Sequence, residues 1–142
     1  MIYLYKRNKT GICIDRVYGH DGIVELPETL EGLPVTELGA YIFSDHIDRG
    51  DLEKCRMSGK FCTEDGQEVT DEEGVPEMSG NMVQELILPS KLRKVGRYAF
   101  YNCFHLKKLS FGGDLRDVGV GAMTGCHKIE RITVKTDENG DS

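Results

Sequence analysis

Apolar and polar residues alternate along this chain in short runs, and the runs recur. Leu109-Ser110-Phe111 and Ile132-Thr133-Val134 follow the two-residue period of a half-buried strand. Gly112-Gly113-Asp114 in one place and Pro89-Ser90-Lys91 in another then break the strand and turn the chain. After Val95-Gly96 comes Arg97-Tyr98-Ala99-Phe100-Tyr101-Asn102-Cys103, where Ala99, Phe100 and Cys103 sit at helical spacing in a stretch too short to hold a helix without packing. The pattern predicts a strand, a turn and a helical turn in each unit. Sliding the C-terminal half on itself by 23 residues superimposes Leu86 on Leu109, Leu92 on Leu115, Val95 on Val118, Gly96 on Gly119, Ala99 on Ala122 and Cys103 on Cys126. An earlier copy runs through Leu38-Gly39-Ala40-Tyr41-Ile42-Phe43, parallel to Val95-Gly96-Arg97-Tyr98-Ala99-Phe100, and its middle is five residues longer.

No such unit can bury its apolar side alone. Neighbours must stack, with their strands about 4.8 Å apart in a parallel ladder, which makes a solenoid. Strand alternation then puts Glu25, Ile87, Lys108, Ser110, Arg131 and Thr133 on the outer face of the sheet, and turns Leu26, Leu86, Leu88, Leu109, Phe111, Ile132 and Val134 to the core. Ahead of the repeats, Ile2-Tyr3-Leu4-Tyr5-Lys6 and Gly11-Ile12-Cys13-Ile14-Asp15 flank a polar turn and predict a hairpin over the first coil, the kind of cap that solenoids need. The reading is one domain over 1–142: a hairpin cap (1–21), a first repeat (22–44), an acidic insertion (45–82), two regular repeats (83–134) and a polar, frayed tail (135–142).

The runs Val24-Glu25-Leu26-Pro27 through Leu38-Gly39 and Leu88-Pro89-Ser90-Lys91-Leu92 through Phe104-His105-Leu106, with the signature Gly-x-x-Ala-Phe-x-x-Cys-x-x-Leu, resemble the BspA-type leucine-rich repeats of bacterial proteins. The resemblance covers 22–44 and 86–134. It implies a right-handed leucine-rich-repeat solenoid; joined to the cap and insertion read above, the expected fold is α/β, a short right-handed leucine-rich-repeat solenoid with a parallel β-sheet, an N-terminal β-hairpin cap and an acidic loop insertion, the insertion being a departure from the family pattern. It also implies a binding scaffold without catalytic residues, some relatives being surface proteins that engage other molecules.

Composition narrows the functional classes. A chain of 142 residues with 39% hydrophobic residues fits one folded domain and neither a disordered tail nor a membrane bundle. Eighteen Lys and Arg against 24 Asp and Glu give a net charge of -6, the wrong sign for binding nucleic acid through its phosphates. Residues 45–82 carry eleven of the acids and four of the bases, so one segment holds the acidity. Its default reading is a solvated, partly disordered loop. No apolar run is long enough for a signal-peptide core or a membrane span. Membrane insertion is therefore not expected; the chain as written stays in the cytoplasm, and a trimmed one belongs at the surface or outside the cell.

The candidate chemistry is sparse. Cys103 and Cys126 take the same place in consecutive coils, which brings them within disulfide range of roughly 4.4–6.8 Å. The ordinary reading is a buried ladder of small thiols. His46 with Cys55 and Cys62 is the one combination that resembles a metal site, and unrelated loop residues are the simpler account. The insertion has carboxylates enough for calcium but not the spaced Asp loop that holds it. Arg49-Gly50-Asp51 matches an adhesion tripeptide and Asn8-Lys9-Thr10 a glycosylation sequon, both too short to carry weight alone. No phosphate-loop, serine-hydrolase or zinc-protease motif occurs, so neither an enzyme nor a cofactor is expected. The expected function is a non-enzymatic protein- or glycan-interaction scaffold whose binding face is the outer strand row. The alternative is an N-terminal structural domain of a larger bacterial protein, with the uncapped last coil open to self-association.

Overall fold

The computed structural model describes residues 1–135; the rest of the expected polar tail lies outside the described residues. Strands β1 (Ile2–Arg7) and β2 (Ile12–Tyr18) form the N-terminal antiparallel hairpin. Asn8 closes it, its side-chain oxygen accepting from the backbone N–H of Thr10 at 2.9 Å and of Gly11 at 2.7 Å. The first coil contains β3 (Ile23–Glu25), β4 (Thr29–Leu30) and β5 (Leu33–Leu38). Helix α1 (Arg49–Ser58), β6 (Lys60–Thr63) and β7 (Glu68–Val69) come next, within the acidic segment. The regular coils pair β8 (Glu85–Ile87) with β9 (Lys94–Val95) and β10 (Lys108–Gly112) with β11 (Asp117–Val118), and β12 (Arg131–Lys135) follows.

Each coil gives one strand to each of two sheets. Strands β3, β8, β10 and β12 make a four-stranded parallel sheet, with Leu86 opposite Val24 and Leu109, and Leu109 opposite Ile132. Strands β2, β5, β9 and β11 stack in parallel in the second sheet, which β1, β6 and β7 extend by antiparallel pairing. The result is a parallel β-solenoid of about five turns with a single short helix among the described residues. Between the sheets lies one core, in which Val24, Leu26, Leu86, Leu88, Leu92, Val95, Phe100 and Leu106 are buried.

Three features differ from the sequence reading. The helical turn expected after Gly96 is a run of three-residue turns, in which Ala99 N–H donates to Gly96 at 3.3 Å, Tyr101 to Tyr98 at 3.1 Å and Cys103 to Phe100 at 3.1 Å. Positive φ at Tyr98 (53°) and Asn102 (60°) is incompatible with a continuing α-helix. The neighbouring coil removes the need for one: Tyr98, Phe100 and Asn102 donate to Val120, Ala122 and Thr124 at 2.9–3.0 Å, satisfying backbone groups across coils. Second, Ile132 and Val134 were expected in the core and are 58% and 48% exposed, because β12 is an edge strand covered from one side among the described residues. Third, the acidic segment is not a bare loop. Phe61 and Cys62 bury themselves against the free edge of β1, and Asp48 caps α1 by accepting from Gly50 N–H at 2.8 Å and Asp51 N–H at 3.2 Å.

One fully buried cation joins these parts. The Arg16 guanidinium on β2 donates to the carbonyls of Tyr41 at 2.5 Å and Ser44 at 3.0 Å, and to the Glu77 carboxylate at 2.6 Å. It thus ties the hairpin to the corner of the first coil and to the end of the insertion, where Met78 N–H also donates to Val17 at 2.9 Å. Replacing Arg16 by Met keeps the volume and leaves those buried acceptors without a donor. The expected loss is about 3 kcal/mol of unfolding free energy in urea. Glu77→Gln, at a partly exposed carboxylate, should cost about 1 kcal/mol or less in the same titration.

Candidate functional site

The outer face of the four-stranded sheet arranges its side chains in two rows. Ser110 lies opposite both Ile87 and Thr133, and Ile87 lies opposite Glu25, which makes one row of Glu25, Ile87, Ser110 and Thr133. Lys108 lies opposite Arg131 on one side and Glu85 on the other, and Glu85 lies opposite Ile23, which makes the second. The six residues singled out in the sequence therefore fall in two adjacent rows. Glu25, Lys108, Arg131 and Thr133 are exposed, and Ile87 and Ser110 are half-buried. Sequence reasoning missed Glu85 and Ile23. The 23-residue shift that relates Lys108 to Arg131 also carries Lys108 back to Glu85, so the first of these was within reach.

Between the rows runs a shallow groove of about 260 Å³, lined by Glu85, Ile87, Lys108, Ser110, Arg131 and Thr133 and extended by Leu109 and Lys135. No ion pair engages Glu85, Lys108 or Arg131 among the described residues, so their charges face outward unspent. The edge of the face is held by Glu28, which accepts from Ser90 N–H at 2.8 Å and Ser90 O–H at 3.0 Å and pairs with Lys135 at 3.9 Å. Basic charge thus collects towards β12 while Glu25 and Glu85 make the opposite end acidic.

The other candidates separate in space. His46 packs edge-on against Tyr101 with centroids 4.9 Å apart, Cys55 is half-buried on α1, and Cys62 is buried on β6. Among the described residues no three His, Cys, Asp or Glu side chains are grouped to hold a metal ion. Arg49-Gly50-Asp51 forms the first turn of α1 and not a loop tip. The Asn8 side chain is occupied by the hairpin turn and by Glu37, to which its amide donates at 3.1 Å. No helix among the described residues is long and apolar enough to cross a membrane.

Cys103 and Cys126 are free thiols with equivalent duties. Each donates to the phenylalanine carbonyl one coil back, Cys103 to Phe43 at 3.5 Å and Cys126 to Phe100 at 3.1 Å. Interaction with Cys126, then burial, pushes the Cys103 thiol up, while interaction with Cys103 holds Cys126 below the ordinary thiol range. Cys126 is also the less buried of the two. Iodoacetamide at neutral pH should therefore alkylate Cys126 at least about tenfold faster than Cys103 in the native protein, as read by peptide mass mapping.

Residues 78–139 match the family model described as the BspA type leucine rich repeat region (6 copies), so the coils over that stretch are similar to leucine-rich repeats of BspA type. The earlier run over 22–44 lies outside the matched residues. No curated protein matches the chain. Among solved structures, a leucine rich cell surface protein from Faecalibacterium prausnitzii A2-165 has a similar fold, with a TM-score of 0.59 at 14% identity over 93% of this chain and 30% of that one. The chain thus spans under a third of that neighbour's length. A leucine rich repeat protein of T. pallidum aligns with a TM-score of 0.37 at 20% identity over 92% of this chain and 67% of that one. Leucine-rich-repeat folds of this kind are typically binding scaffolds without catalysis.

Proposed function

We propose that this protein is a non-enzymatic interaction scaffold that binds a protein or glycan on the outer face of its four-stranded sheet. The observation that carries this reading is the register of the two rows, which sets Lys108 beside Arg131 and Ser110 beside Thr133 on a rigid parallel ladder, with the charges unpaired. A repeat surface of this kind recognises by periodic placement of side chains and not by a single deep cavity. The mixed row, acidic at Glu25 and Glu85 and basic at Lys108 and Arg131, suits a partner with charges of both signs or a hydroxyl-rich glycan.

The test compares the wild type with a Lys108→Glu/Arg131→Glu double variant on a glycan array and in affinity capture from surface and secreted protein fractions. A genuine partner should lose at least about tenfold in affinity for the double variant, and keep its affinity for an Arg7→Glu variant on the opposite sheet. Equal binding by wild type and double variant for every partner found would refute the assignment.

A second reading rests on the apolar end of the solenoid, where Val118, Val120, Ile132 and Val134 are exposed. That end favours either self-association or a place for these coils as the structural domain of a larger bacterial protein. Sedimentation equilibrium separates the two. A concentration-dependent dimer abolished by Ile132→Ser/Val134→Ser supports self-association, and a monomer throughout supports the structural domain.

A further inference from the structure

The groove on the four-stranded sheet has a finer structure than its two rows show. Lys108 and Arg131 are register partners on β10 and β12, and Ser110 and Thr133 are partners two residues further along the same strands. Residues two apart on a strand point to one face. The four side chains therefore mark the corners of a cell about 4.8 Å across and about 6.6 Å along, with two cations on one edge and two hydroxyls on the other. Lys108, Arg131 and Thr133 are exposed and Ser110 is half-buried, so all four are open to a ligand from solvent. Among the described residues neither cation has an ion-pair partner, and neither hydroxyl is engaged in a hydrogen bond. One strand back, on β8, Glu85 lies opposite Lys108 and Ile87 lies opposite Ser110.

Charge sets the sign of what this cell takes. Three cations, Lys108, Arg131 and Lys135, line the groove against one acid, Glu85. Like charges directly opposite on neighbouring strands repel, and an anionic group seated between Lys108 and Arg131 removes that repulsion. The guanidinium fork of Arg131 matches a planar carboxylate through two parallel hydrogen bonds, with the Lys108 ammonium beside it as a point charge. The rest of the lining sets the class of molecule. Strand β10 is paired on both sides, so the groove offers a peptide no free strand edge to join. Leu109 is buried and Ile87 half-buried, which leaves no apolar pocket for the side-chain anchor from which a protein partner draws its affinity. The hydroxyls of Ser110 and Thr133 both donate and accept, as sugar hydroxyls do, and Ile87 gives the C–H face of a sugar ring a surface to lie on.

We propose that the partner of this face is an acidic glycan, and that the cell seats one uronic acid residue. Its carboxylate sits between Lys108 and Arg131, and its ring hydroxyls meet Ser110 and Thr133. Glu85 gives the site a direction: it repels the carboxylate towards β12 and accepts from a hydroxyl on the opposite side of the ring. The inference rests on the scaffold reading above and narrows it from a protein or glycan to a carboxylated sugar.

The experiment is an amide-shift titration of the ¹⁵N-labelled full chain with uronate tetramers of the galacto and manno series, their methyl esters, the neutral hexose tetramers and an acidic peptide of equal charge. The expected result is saturable movement of the Ser110 and Thr133 amides by a uronate tetramer, with a Kd of about 1 mM or tighter. Its methyl ester should bind at least about tenfold more weakly, and added salt should weaken the acid form alone. Lys108→Gln/Arg131→Gln, at two exposed positions, should lose at least about tenfold, and Ser110→Ala/Thr133→Ala roughly threefold with both cations in place. Arg7→Glu should bind as wild type does. The proposal fails if no uronate tetramer moves those amides, if the ester or the neutral tetramer binds as tightly, or if the Lys108→Gln/Arg131→Gln variant binds undiminished. A neutral glycan or the acidic peptide moving the same amides in place of a uronate overturns this inference and leaves the scaffold reading standing.

Discussion

Stacking of one coil on the next governs the structure, and it is a steric constraint before it is an energetic one. Successive backbones must approach to strand spacing at the corners as well as in the sheets. At Gly96 a Cβ would stand 2.5 Å from the Ala40 nitrogen, and at Gly119 a Cβ would stand 2.4 Å from the Arg97 nitrogen. These two positions admit glycine because nothing else leaves the neighbouring coil room. Cysteine at 103 and 126 meets the same limit differently: it is small enough for the interior, and its S–H satisfies a carbonyl of the coil beneath. Where the coils do not press on one another, the side chains are free to differ. Lys108 and Glu85, equivalent in the repeat, carry opposite charges because both point outward.

A ladder of this kind needs a first rung, and the N-terminal segment supplies more than a lid. Strand β2 is buried along its whole length and pairs directly with β5, so it is itself the first rung of the second sheet. Its partner β1 would leave a bare edge, which β6 and β7 cover. The acidic segment therefore contributes its one apolar strand to the fold and keeps its charge on the outside. Arg16 makes this closure specific. A buried guanidinium demands its acceptors in one geometry, and those acceptors come from the first coil and from Glu77, 61 residues further on.

What was legible in the sequence follows the same division. The register of the regular coils could be read because sterics repeat it residue by residue: Gly96 with Gly119, Ala99 with Ala122, Cys103 with Cys126. The outward rows followed from strand alternation, and the structure splits them in two and adds Glu85. The turn run after Gly96 was misread as helical because Ala99, Phe100 and Cys103 do have helical spacing; of the left-handed residues that interrupt it, Tyr98 carries no local signal and Asn102 only the mild preference of asparagine for that conformation. Arg16 was silent for another reason. It looks like an ordinary polar residue in a hairpin, and only contacts made by distant parts of the chain bury it. Helix α1 buries no residue and is set by its Asp48 cap, which an apolar pattern cannot report.

The central claim is that equivalent outward residues of successive coils stand side by side on one rigid face. The direct measurement is a three-dimensional NOESY spectrum of the labelled protein, read for interstrand contacts along the four-stranded sheet. The account predicts backbone contacts linking Glu25 to Ile87, Ile87 to Ser110 and Ser110 to Thr133. Contacts shifted by one residue, such as Ser110 to Ile132, would turn the apolar residues outward and contradict it.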